Sequence, residues 1–171
     1  MSEAGQGARP GGTPLGRLAH GVALAGGSLS VATALLVVAS VSLRAKPVGL
    51  GGIPGDFELV QMLTAIAVFC FLPLCQARRG HVIVDVFSRG WSLRARAIVD
   101  GIWDLVAALA MGLVAFQLAQ GAMSVAGSGT RTMVLGLPVY PAVWLCSGLA
   151  ALLALVALAR GLSDVLGQGR T

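Results

Sequence analysis

Residues 59–77 read LVQMLTAIAVFCFLPLCQA, and residues 78–91 continue RRGHVIVDVFSRGW. The first stretch has no charged side chain and approaches the ~20 apolar residues a helix needs to cross a ~30 Å hydrocarbon core. The second opens on two arginines, turns at a glycine, and then interleaves apolar residues with Asp85, Ser88 and Arg89. It reads as a catalytic loop, a ligand site, or a chain leaving one membrane span to lie along the surface before the next. Composition favours the last. The chain has 171 residues, 56% hydrophobic and 11% charged, with a mean hydropathy of +0.85. A soluble domain carries about 25% charged residues, so these charges are too few to cover a soluble surface. The expected fold is an all-α integral membrane protein, since lipid leaves no partner for unpaired backbone groups.

Four apolar segments support it, at about 22–43, 59–77, 102–125 and 139–159. The first exceeds the 7–15 apolar residues of a signal peptide and is read as an uncleaved span. Residues 1–17, rich in Gly and Pro, are expected as a disordered tail. A four-helix membrane domain over 18–162 and a second tail over 163–171 complete the expected organisation. The linker KPVGLGGIPGDF is turn-rich, and Pro138 and Pro141 suit the entrance of the fourth helix. Nine of the 12 Lys and Arg lie in the first tail, the loop at 78–97 and the C-terminal end; Arg44, Lys46 and Arg131 lie in the other two loops. The positive-inside rule therefore predicts both termini in the cytoplasm.

Drawn as a helix, residues 82–93 place Asp85, Ser88, Arg89 and Ser92 on one side and Ile83, Val86, Phe87, Gly90 and Trp91 on the other. This predicts a short interfacial helix, with Phe87 and Trp91 at the headgroup–acyl boundary. Arg78 and Arg79 mark the headgroup level, and Gly80 allows a sharp turn. His81 reads first as a hydrogen-bonding or packing residue at the membrane edge; a contact with Asp85, four residues on, would suit a structural clasp or a proton relay. Arg96, Asp100 and Asp104 share a face at the start of the third span. There an Arg96–Asp100 pair with a partner-facing Asp104 stands against a cation or proton site at Asp104. Asp56 and Glu58 read as interfacial charges or contacts to an outside partner. Small residues recur at Gly26, Ser30 and Ala34, and at Ala115 and Ala119, a spacing that permits close helix contact but carries little weight in a chain this rich in Gly and Ala.

The net charge of +5 bears on topology and headgroups, and no basic patch with interleaved aromatics suggests nucleic acid. Cys70, Cys75 and Cys146 sit in or beside apolar runs and read as small packing residues. With only His20 and His81, no multi-histidine metal or haem site is expected, and no cofactor. No nucleophile–base set or phosphate-cradling loop appears, so no enzyme is expected. The central parts of the spans lack Asp, Glu, Lys, Arg and His. Their polar residues are Ser28, Ser30, Thr33, Thr64 and Gln117. Ion-coupled carriers place ionisable groups or broken helices near the midplane, so the chain reads as a membrane subunit that works with a larger partner.

RRGHVIVDVF followed by RARAIVDGIWD resembles the small membrane subunit of the tripartite ATP-independent periplasmic (TRAP) transporters. The matching features are Gly80, His81 and Asp85 after the second span, the basic stretch with Arg94 and Arg96, and the Leu-Gly-Leu-Pro entrance at 135–138. The resemblance covers about residues 20–160. A departure is GDFELVQ, where that family often has a Trp and paired Glu. The resemblance implies a large membrane subunit with the substrate and sodium sites. It also implies a periplasmic binding protein that captures an organic anion, usually a carboxylate or sialic-acid-like solute. The small subunit would be a scaffold in the bacterial inner membrane, touching the binding protein around Asp56, Glu58 and Arg131. Alternatives are the small subunit of a tripartite tricarboxylate-type carrier, a quinone- or haem-linked anchor of a redox enzyme, and a self-contained transporter acting as an oligomer.

Overall fold

The computed structural model describes residues 14–45, 53–77 and 93–165, the side chains of 14 and 93–97 excepted. Among the described residues the architecture is wholly helical: α1 (Pro14–Arg44), α2 (Asp56–Ala77), α3 (Leu93–Ser128) and α4 (Tyr140–Val165). All four are long and apolar enough to cross a membrane. The interfacial helix expected over 82–93 falls at residues 82–92 outside the described set, and Leu93 already belongs to α3.

The helices outrun the apolar segments. α3 has 36 residues, which at 1.5 Å per residue is ~54 Å. It begins at Leu93 rather than near 102 because Leu, Arg and Ala are good helix formers whether or not the segment is apolar. α1 begins at Pro14, so residues 14–17, assigned to a tail on sequence, are helical. Proline suits a first helical position. α2 starts at Asp56, whose Oδ1 accepts the Phe57 N–H at 2.8 Å, and its first-turn carboxylates favour the helix N-terminus. α4 runs past Arg160 to Val165. Pro73, inside α2, is fully buried.

The helices alternate in direction. The α1–α2 and α3–α4 connections share one end of the molecule, here the hairpin end; the opposite end is the terminal end. α1 packs on α2, α2 on α4, and α4 on α3, with a slight touch between α1 and α4. Among the described residues α1 and α3 do not meet. The order across the molecule is therefore α1–α2–α4–α3, a row with α1 and α3 at its edges.

Small residues hold the row together. The buried set is dominated by alanines, among them Ala19, Ala67, Ala77, Ala108, Ala115, Ala122, Ala150 and Ala157. Lipid tails are as apolar as leucine, so burying large side chains gives helices in a bilayer little reason to associate. Close backbone approach and interhelical hydrogen bonds do instead. Gly26 lies on α2 so closely that a Cβ there would stand 2.5 Å from Cys70 Cβ and 3.3 Å from the Ala67 carbonyl. Gly101 and Gly161 face each other across α3 and α4. A Cβ on Gly161 would lie 3.0 Å from the Gly101 carbonyl, and one on Gly101 3.2 Å from the Gly161 carbonyl. The buried Ser147 hydroxyl donates to the Ala115 carbonyl at 2.9 Å, joining α4 to α3. Two positions from the sequence spacing, Gly26 and Ala115, are thus real contacts. Large apolar side chains such as Leu24, Leu35, Val38, Leu109 and Phe116 point outward, as spans facing lipid require.

Candidate functional site

Polar side chains concentrate at the two ends of the row. At the hairpin end, Asp56 accepts from the Ser40 hydroxyl and from Arg44 Nη2 at 2.8 Å. Ser40 is fully buried, and its oxygen also accepts the Ile53 N–H at 3.4 Å. This staples the last turns of α1 to the first turn of α2.

The α3–α4 connection is an ordered loop. Thr132 N–H donates to the Leu137 carbonyl at 2.9 Å, Gly136 N–H to the Thr132 carbonyl at 3.1 Å, and Leu137 N–H to Thr132 Oγ1 at 3.0 Å. Arg131 pairs with Pro138 in an isolated bridge, and its guanidinium donates to the Gly136 carbonyl at 3.3 Å. Gly136 has φ +64°, a backbone that L side chains rarely adopt.

The tip of this loop folds over the start of α2. Both oxygens of Glu58 accept backbone bonds, from Val134 N–H at 2.8 Å and from Leu135 N–H at 3.1 Å. Leu135 lies against Gly55, whose φ of +75° and lack of a Cβ make room for it. Met133 at the tip is 98% exposed. Asp56 and Glu58, expected as charges at the outer entrance, are thus engaged within the chain.

At the terminal end, Gln76 Nε2 donates to Asp104 Oδ1 at 2.7 Å, and Arg160 Nη1 donates to the Gln76 carbonyl at 3.4 Å. α2, α3 and α4 converge there. Gln76 is 3% exposed, so its amide needs the acceptor that Asp104 supplies. Arg160 places a cation at the C-terminus of α2, where the helix dipole favours one. Sequence reading singled out Asp104 and missed Gln76 and Arg160 as its neighbours, because no spacing links positions on three helices. Asp100 is half-buried on α3 and Arg96 lies on its backbone, with the Arg96 side chain outside the described set. Arg78, Arg79, Gly80, His81, Asp85, Phe87 and Trp91 lie outside the described residues. His20 is exposed on α1.

Among the described residues no three His, Cys, Asp or Glu side chains gather as a metal site would require. The bonds at the two ends join helices to helices and loops to helices. Comparison with protein families gives one match. The family model for tripartite ATP-independent periplasmic transporters, DctQ component, matches residues 33–167. The chain belongs to the DctQ family. That match spans most of the four-helix region and favours the TRAP resemblance over the tricarboxylate-type and redox-anchor alternatives. Comparison with curated proteins and with solved structures gives no match. DctQ is a transporter-component family, not an enzyme family, and the four apolar helices make this member a multi-pass membrane protein. The match takes in every residue of both end clusters, from Ser40 and Asp56 to Arg160.

Proposed function

We propose that this chain is the scaffold subunit of a TRAP-type secondary transporter in the bacterial inner membrane, with both termini cytoplasmic. Its partner is the large membrane subunit, which carries the substrate and sodium sites and needs a static body to move against. A periplasmic binding protein delivers the solute, an organic anion such as a carboxylate or sialic-acid-like acid. One observation carries this reading: over residues 21–43, 59–77, 105–128 and 140–159 the described helices hold no Asp, Glu, Lys, Arg or His, and bonds such as Gln76–Asp104 and Ser147–Ala115 join them to one another. A body built this way resists deformation and offers no path for a charge.

In this account the segment after α2 anchors the subunit at the cytoplasmic headgroups. Arg78, Arg79, Gly80, His81 and Asp85 set its turn, and Phe87 and Trp91 set its depth. Asp100, Asp104 and Arg96 belong to the same cytoplasmic rim. The hairpin end then faces the periplasm. Asp56 and Glu58 are occupied within the chain, so contact with the binding protein falls to the exposed tip at Met133 and to the guanidinium donors of exposed Arg131 that its one bond to the Gly136 carbonyl leaves over.

Affinity purification of the tagged chain from its native membrane tests this reading. The expected result is a many-span membrane protein in near-equal amount. Recovery of the chain alone, or with a redox enzyme, would contradict it.

A further inference from the structure

Among the described residues helix α3 packs along α4 through one side, and it meets α2 only at the Gln76–Asp104 bond. Gly101, Ala108, Ala115 and Ala122 recur every seven residues on that side, and all are buried. Almost diametrically opposite, at alternating steps of four and three, stand Val106, Ala110, Leu113, Gln117, Gln120 and Ser124. Every one of these is exposed, Leu113 at 59%. Such a 4–3 repeat keeps one seam facing a partner helix packed at a shallow angle. From Val106 to Ser124 the seam runs about 27 Å, nearly the depth of the hydrocarbon core.

Two residues of this seam are out of place against lipid. α3 is apolar enough to span from Ile98 to Ser128. Gln117 lies about 6 Å from the middle of that span and Gln120 about 10 Å, both within the ~15 Å half-thickness of the core. Neither amide hydrogen-bonds to any described residue. Several other polar side chains in the spans are satisfied inside the chain. Ser28, Ser30 and Thr33 of α1 donate to carbonyls of their own helix, and Ser147 donates to α3. A carboxamide carries two donors and an acceptor, and leaving them unpaired in hydrocarbon is costly.

We propose that the Val106–Ser124 seam of α3 is the face on which the large membrane subunit docks, and that Gln117 and Gln120 hydrogen-bond to polar groups on one of its transmembrane helices. This rests on the proposed function and adds to it the face and the chemistry of the contact. The position fits, because α3 is an edge of the row and no described helix packs on its outer side between Val106 and Ser124. A partner helix there extends the row without disturbing α2 or α4.

The test uses the tagged chain co-expressed with the large subunit of its own transporter. A photo-crosslinking residue replaces Leu113, Gln117 or Gln120, and in controls Val31 or Val38 on the outward side of α1, the opposite edge. The expected result is a covalent adduct with the large subunit from the α3 positions and little from α1. If the large subunit co-purifies but is captured from α1, the proposal falls while the functional reading stands. Adducts from α3 with a second copy of the chain, or with lipid alone, would equally overturn it. If no large subunit co-purifies with the unsubstituted chain, the functional reading fails and the proposal with it. As a second readout, Gln117→Leu with Gln120→Leu is expected to lower co-purified large subunit by about three- to tenfold and leave the thermal stability of the isolated chain unchanged. Unchanged recovery would contradict the proposal.

Discussion

Glu58, in the first turn of α2, accepts the backbone N–H of Val134 at 2.8 Å, across 76 positions of sequence. With the second bond from Leu135, it fixes the α3–α4 loop on the α1–α2 pair. The two helical hairpins are therefore joined at this end by one carboxylate as well as by the α2–α4 contact along their length.

Glu58→Ala should release the loop tip and leave the helices in place. Backbone amide exchange at Val134 and Leu135 is expected to quicken by about tenfold or more, the consequence of losing a charge-assisted acceptor. Exchange in the middle of α4 should not change. Unchanged protection at both tip amides would show that the loop is held by its own turn.

The facing glycines Gly101 and Gly161 predict a steric result. Gly161→Val should drive α3 and α4 apart and destabilise the fold by about 1–3 kcal/mol. Gly148→Ala is the control, since a Cβ there meets nothing within 4 Å and alanine is the better helix former. Equilibrium unfolding in mixed micelles should order the two, with Gly148→Ala equal to or above the parent.

Ser147→Ala removes the buried bond to the Ala115 carbonyl and should cost about 0.6 kcal/mol, a representative value for interhelical hydrogen bonds in membranes. Ser28→Ala removes a bond within one helix turn at an exposed position and should be near neutral. The same unfolding measurement separates them, and equal effects would contradict the assignment.

The Gln76–Asp104 bond predicts coupling between α2 and α3. In a double-mutant cycle with Gln76→Leu and Asp104→Ala, the interaction should reach about 0.5–2 kcal/mol. Purely additive effects would mean that Asp104 is held by other groups. Asp104→Asn should also leave transport by the whole assembly largely intact, contrary to a cation site at that carboxylate.

The fold was legible where composition alone decides. Four apolar runs near 20 residues long required four helices, because lipid permits little else. Helix ends were less so. Leu93–Ala97 and Leu15–Gly21 are compatible with helix without being apolar enough to span, so a search for apolar runs stops short of them. The polar contacts were hidden for another reason. Glu58 and Val134, or Gln76 and Asp104, meet only through the packing order α1–α2–α4–α3. No local spacing encodes that order in a chain whose helices are apolar all round. Gln117 was visible as a polar residue in a span. Its position opposite the α4-facing alanines became visible only once the neighbour of α3 was known.

The central claim is that this subunit supports transport without carrying it out. Reconstituted vesicles give the most direct test. Uptake of the organic anion under a sodium gradient would be followed with the binding protein present, for the large subunit alone, for this chain alone, and for both. The account predicts uptake only with both. Full uptake by the large subunit without this chain, or any uptake by this chain alone, would contradict it.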